Sequence, residues 1–228
     1  MHQKNSLLLR GIERAILALP KRRLRKQTRL KLTAIEQALQ TSAIERARAE
    51  KLGLADLSRI YGACEFCFIY EADITVLLCE MMCAEITWAR LLFSRQLALT
   101  LIEAAEDVPQ VLGKNFRLSL NSAISDDGYL SRLNSIAKGL SSFKRKHEKD
   151  LRLIRNAVTA HRDLESRTQL NIIKNLDILA IKSLSTEFLD LMLQFTKLMT
   201  EFLSEFTFPN MVMGRVNVKP MLQAISPQ

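Results

Sequence analysis

The sequence is short of the residues that break or staple a chain: only seven glycines, five prolines and four cysteines occur in 228 residues. Few breakers leave little room for a turn-rich β architecture, and stretches of Val and Thr with period-two alternation are nearly absent. A disulfide framework is excluded by the placing of the cysteines. Cys64, Cys67, Cys79 and Cys83 all sit in one apolar region, and no secretory signal precedes them. The reading is a reduced, cytoplasmic protein. Histidine is scarce too, with three in the chain, and none forms a Glu-x-x-His pair with the acids at Glu65, Glu71, Asp73, Glu80 and Glu85. A helix-bundle carboxylate metal centre is therefore not expected, and those acids read as salt-bridge partners for a basic helix. Long uncharged apolar runs are missing as well. The stretch "ITVLLCEMMCAEITWARLLF" is interrupted by Glu80, Glu85 and Arg90, and a spanning helix would have to bury all three.

What is abundant is helix-forming and basic. Hydrophobic residues make up 48%, and 33 Lys plus Arg outnumber 24 Asp plus Glu, a net charge of +9. Such a chain folds as an ordered all-α protein and attracts polyanions: nucleic acid, an acidic protein or an anionic membrane. Residues 6–19, "SLLLRGIERAILAL", read as a short amphipathic helix ended by Pro20. The following "PKRRLRKQTRLK" holds seven basic residues between Lys21 and Lys31, which fits a solvated helix face, a targeting segment or a membrane-surface contact.

Further on, the periodicity predicts a helix over 33–52 with a break at Gly53. A long helical stretch follows over 55–106, bent near Gly62 or Asp73 and ended before Pro109. A short helix is expected at about 110–121, and "SDDG" at 125–128 caps a helix from Tyr129 to His161. A helix is expected at 170–184, and Ser185 caps the last long one. Phe188, Leu191, Phe195, Leu198, Phe202 and Phe206 form one stripe of that helix, suited to a core or to a helix-to-helix contact. The expected organisation is a basic helical arm over 1–52, a helical bundle over 53–208 and an extended tail over 209–228. The C-x2-C and C-x3-C spacing superficially suits zinc, but the thiols lie inside helical pattern among Phe66, Phe68, Leu77, Leu78 and Met82. Core thiols are the better reading, and neither metal nor cofactor is expected. His147, within "KRKHEK", reads as a solvated surface residue.

The densest chemistry lies in "IRNAVTAHRD", residues 154–163. An RNA strand is cut without metal when a base takes the 2′-hydroxyl proton, a cation stabilises the crowded phosphorane and an acid protonates the leaving 5′-oxygen. His161 titrates in the useful range, and the Arg155 guanidinium stays charged and can hold two phosphate oxygens. On a straight helix six positions turn through about 600°, which leaves Arg155 and His161 roughly 120° apart. Local unwinding or a second subunit must bring them together. The plainer alternative is a polar helix end, with Arg155 and Asn156 on backbone carbonyls and His161 on the dipole.

Arg155, Asn156 and His161, followed by Arg162 and Asp163, resemble the HEPN superfamily, in particular its abortive-infection branch. The resemblance implies an all-helical bundle with long antiparallel helices and a homodimer with the motif at the subunit cleft. It further implies metal-independent endoribonuclease activity in prokaryotic defence or toxin–antitoxin systems. In that reading His161 is the general acid or base, Arg155 stabilises the phosphate and Asn156 orients it. Lys144, Arg145, Lys146, Lys149, Arg152 and Arg162 hold the flanking backbone, because cations position a nucleic acid without reading its sequence. RNA and a second copy are the expected partners, and an antitoxin or other protein partner belongs to the competing reading of a non-catalytic dimerisation or partner-binding module. A membrane is the least expected.

Overall fold

A computed structural model describes residues 2–123, 127–159, 171 and 173–205, with side chains described over 19–123, 128–151, 171 and 173–205. Six helices are described: α1 (His2–Lys51), α2 (Ala55–Cys83), α3 (Thr87–Val111), α4 (Lys114–Ala123), α5 (Asp127–Thr159) and α6 (Ile178–Glu205). No strand occurs among the described residues, so the chain is all-α there.

Each break has a local cause, and only some are visible as breakers in the sequence. Gly53 takes φ 69°, the left-handed conformation that lets α1 turn back along α2. The break expected at Gly62 or Asp73 occurs instead at Ala84–Ile86, where Ala84 and Ile86 have extended ψ angles of 130° and 126°. No Gly or Pro marks that corner. The Arg90 guanidinium, from the first turn of α3, donates to the Ala84 carbonyl over 2.9 Å and satisfies a helix-end acceptor there. Gly62 stays inside α2, where it lets the Arg46 side chain approach: a Cβ would sit 3.4 Å from the guanidinium.

The prolines correct the sequence reading in the same way. Pro20 does not end a helix, because α1 runs through it. One lost N–H bond is outweighed by propagation through strong helix formers on both sides. Pro109 lies inside the last turn of α3, which ends two residues later. The following short helix accordingly begins at Lys114. Nor does Ser185 cap the last helix. Its hydroxyl is buried and donates back to the Ile181 carbonyl over 2.7 Å, while Asp177 accepts from the Ala180 amide over 2.9 Å and caps α6 eight residues earlier. Of "SDDG", Ser125 and Asp126 lie outside the described residues, and Asp127 and Gly128 already belong to α5.

α1 packs on α2. In turn α2 packs on α3, α4 and α6, and α5 lies against α3 and α6. Tyr61 and Phe68 of α2 meet Phe202 and Phe195 of α6 with centroids 6.0 and 6.3 Å apart, so these helices run antiparallel. Tyr129 and Phe143 of α5 meet Phe202 and Phe188 at 6.2 and 5.4 Å, which makes α5 antiparallel to α6 as well. Phe188, Phe195, Leu198 and Phe202 are fully buried, so the stripe read on the last helix is core. Leu191 packs partly buried against it, and Phe206 lies outside the described residues. Ile35, Ala38 and Ala49 of α1 join the same core, so the stretch before Gly53 shares its hydrophobic interior with the helices after it. The tail over 209–228 lies outside the described residues.

The four cysteines are free and buried among these apolar side chains. Burial, with the neighbouring Cys67, pushes the Cys64 thiol well above its ordinary range, and burial with Glu71 does the same to Cys67. The acids of α2 do form ion pairs, though not with the basic helix α5. Glu65 takes Arg46 at 3.0 Å and Glu71 takes Lys31 at 2.8 Å, both from α1, because α1 and not α5 covers that side of α2.

Candidate nucleic-acid interface

The contacts along the bundle decide which ends meet. Lys21 donates to the Cys83 carbonyl over 3.3 Å, so α1 crosses the C-terminal end of α2 there. α6 lies antiparallel to α2, and α5 antiparallel to α6. The first turn of α6 is therefore level with the corner at 84–86. His147 sits beside Glu187, and Arg155 lies eight residues, about 12 Å, further along α5. That places the Arg155 backbone near the same end. Two sequence-distant basic segments, 21–29 on α1 and 144–156 on α5, thus share one end of the bundle on different flanks.

Along α5 the expected binding residues separate into two groups. Arg145 and Lys149 are exposed, and among the described residues neither makes an ion pair. With 3.6 residues per turn, Arg145, Lys149, Arg152 and Asn156 fall on one stripe of the helix. Lys144 is half-buried. Lys146 is exposed but committed, its ammonium 3.0 Å from Glu187 of α6. The backbone of Arg155 follows the buried Leu151 by four positions, which puts it on the bundle-facing edge of α5 and not on the open stripe. The side chains of Arg152, Arg155 and Asn156 are outside those described, and His161 and Arg162 lie outside the described residues.

His147 corrects the sequence reading. Its side chain is only 13% exposed, its ring lies 4.9 Å from that of Phe143, and its Nε2 is 2.9 Å from Glu187. Burial pushes the Glu187 carboxyl up. Hydrogen bonds from Lys146 and His147, with their charges, outweigh this and hold it below the ordinary carboxylate range. The cluster is a polar clasp between α5 and α6. The sequence signal for it was the apolar phase of α5, since His147 follows Phe143 by four and precedes Leu151 by four.

At the opposite end, a cleft of about 460 Å³ between α1 and α2 is lined by Arg46, Glu50, Leu54, Ser58 and Arg59. Its cations are matched by acids: Arg46 pairs with Glu50 and Glu65, and Arg59 with Asp56. Without excess charge it offers nothing to a polyanion.

No protein-family model, curated protein or solved structure matches the chain. The residues themselves carry any functional reading. Among the described residues no group of three or more His, Cys, Asp and Glu is placed to hold a metal, and no helix is long and apolar enough to cross a membrane.

Proposed function

We propose that the chain is an RNA-binding protein of HEPN type that cleaves RNA without metal, acting as a homodimer in a prokaryotic defence or toxin–antitoxin setting. The observation that carries the binding half is the open stripe of α5, where Arg145 and Lys149 face solvent without acidic partners among the described residues and lead toward the turns that bear Arg155 and Asn156. Cations left unpaired beside a net charge of +9 are available to phosphates, and binding releases the counterions that a phosphate backbone condenses. The family reading is supported by the absence of strands among the described residues and by the position of Arg155 and Asn156 in the last turns of α5.

For cleavage, Arg155 stabilises the charge that builds on the pentavalent phosphorus, and His161 moves the proton. Asn156, whose backbone follows the stripe of Arg145 and Lys149, holds the strand beside them. His161→Ala tests this directly. The variant is expected to lose cleavage of a single-stranded RNA by orders of magnitude while its RNA affinity stays within a factor of a few. Wild-type protein that binds RNA and leaves it intact would reduce the chain to a non-catalytic binding module. Absence of RNA binding would remove the reading altogether.

A further inference from the structure

We propose that the face where α1 passes the α2–α3 corner docks onto an anionic phospholipid surface. Beside Lys21, tied to Cys83, the α1 residues Arg22, Arg23, Arg25 and Lys26 are exposed, and none makes an ion pair among the described residues. Just past Cys83 the corner holds apolar side chains in water: Ile86 is 70% exposed, Trp88 52% and Leu92 40%. Trp88 and Leu92 are four apart and share one face of α3. On the other side of the crossing Leu19 is 60% exposed. Ile86 is three residues from Cys83 and Trp88 five, so chain reach alone keeps them within about 11 and 18 Å of the Lys21 contact. The cations and the apolar side chains therefore flank one corner of the bundle, with the exposed Glu85 between Cys83 and Ile86. The buried Arg95 guanidinium lies 6.0 Å from the Trp88 ring centroid and backs the indole, which leaves the exposed part of the ring outward.

Three kinds of partner could cover such a patch, and its chemistry chooses among them. A second copy in a two-fold contact would set these cations against their own equivalents. A single-stranded RNA satisfies the cations and can stack on the indole, but it offers Ile86, Leu92 and Leu19 little apolar surface in exchange for water. An anionic bilayer answers both parts, with headgroups for the arginines and the headgroup–acyl boundary for the aliphatic and indole side chains. The cations of this face come from α1, which packs on α2, whereas those of the RNA reading are on α5, so substitutions at Arg22, Arg23 and Arg25 leave the α5 stripe untouched.

Trp88 is the sole tryptophan of the chain, so its emission reports on this face alone. The full chain is titrated with phosphatidylcholine vesicles with and without phosphatidylserine. The expected result is a blue shift, and quenching by brominated acyl chains, only when phosphatidylserine is present. Replacing Arg22, Arg23 and Arg25 with Gln is expected to weaken vesicle binding on the order of a hundredfold. Ile86→Glu keeps the reporter and is expected to abolish the shift with an unchanged helical circular dichroism signal; if that variant does not fold, the triple Gln variant, altered only at exposed positions, decides alone. The proposal is overturned by the absence of vesicle binding, or by binding with unchanged Trp88 emission. A shift that neutral vesicles produce equally well also overturns it, as does a response to single-stranded RNA or to self-association in place of vesicles.

Discussion

The Lys31 ammonium lies 2.8 Å from the Glu71 carboxylate, whose side chain has no solvent exposure. The Thr196 hydroxyl of α6 donates to the other carboxylate oxygen, so one buried acid joins α1, α2 and α6. Removing Lys31 leaves that charge without a counterion inside the core. Lys31→Ala is expected to destabilise the fold by about 3 kcal/mol, at the low end for an orphaned buried charge because Lys31 keeps some exposure. Combining it with Glu71→Gln should recover most of the loss, and urea unfolding of the two single variants and the double measures the coupling. Additive effects would mean that the pair contributes nothing.

Two glycines are expected to differ in their response to alanine. At Gly53 a Cβ would meet nothing within 4 Å, so the cost of Gly53→Ala is that of the left-handed backbone alone, about 1–2 kcal/mol. At Gly139 a Cβ would come within 2.7 Å of a Leu191 methyl, the movable end of a side chain. The gain in helix propensity, about 1 kcal/mol, roughly offsets that crowding. Denaturant midpoints should fall clearly for the first variant and little for the second.

The Glu187 clasp sets a direction for acid sensitivity. Its folded carboxyl is held below the ordinary range, so it stabilises the fold above the unfolded value, near pH 4.3, and loses this contribution as pH falls through the lower folded value. Stability should therefore decline below about pH 4.3, and Glu187→Gln should flatten that part of the profile. An unchanged acid limb in the variant would show that the clasp carries no pH-dependent stability.

The thiols offer a plain check on burial. All four cysteines are buried, and burial raises the Cys64, Cys67 and Cys83 thiols above their ordinary range. A disulfide-exchange reagent at pH 8 should titrate almost none in the folded chain and four after denaturation. Rapid reaction of one thiol in the folded protein would contradict this packing.

On α5, replacing Arg145 and Lys149 with Gln should weaken single-stranded RNA binding and make its salt dependence shallower. The slope of log affinity against log salt should fall by roughly 1.4 for two lost phosphate contacts. A changed affinity with the slope intact would mean that these side chains do not meet phosphates.

Much of this protein was legible before any coordinates, because the signals were local. Periodicity alone marked helices, and the phase of Phe188, Phe195, Leu198 and Phe202 marked one apolar face of the last one, which the fold turns into core. Gly53 marked a turn because it can adopt a conformation that other residues avoid. The apolar setting of the four cysteines marked them as core. Those features are decided within a few turns of helix, by steric allowance and by which side chains avoid water.

What only the tertiary structure decided was which distant pieces meet. The corner at 84–86 carries no breaker and is held by Arg90 from the next helix. Glu65 and Glu71 find their cations on α1, and His147 finds Glu187 across the α5–α6 seam. Ser185 is spared from capping because Asp177 already begins the helix. The exposed Arg145 and Lys149 of α5 are placed, whereas the side chains of Arg155 and Asn156 and the whole of His161 lie outside what is described. Helix formation answers to neighbours four residues away, but the meeting of Lys21 with Cys83 depends on how whole helices bury their faces together, and no short stretch of sequence encodes that.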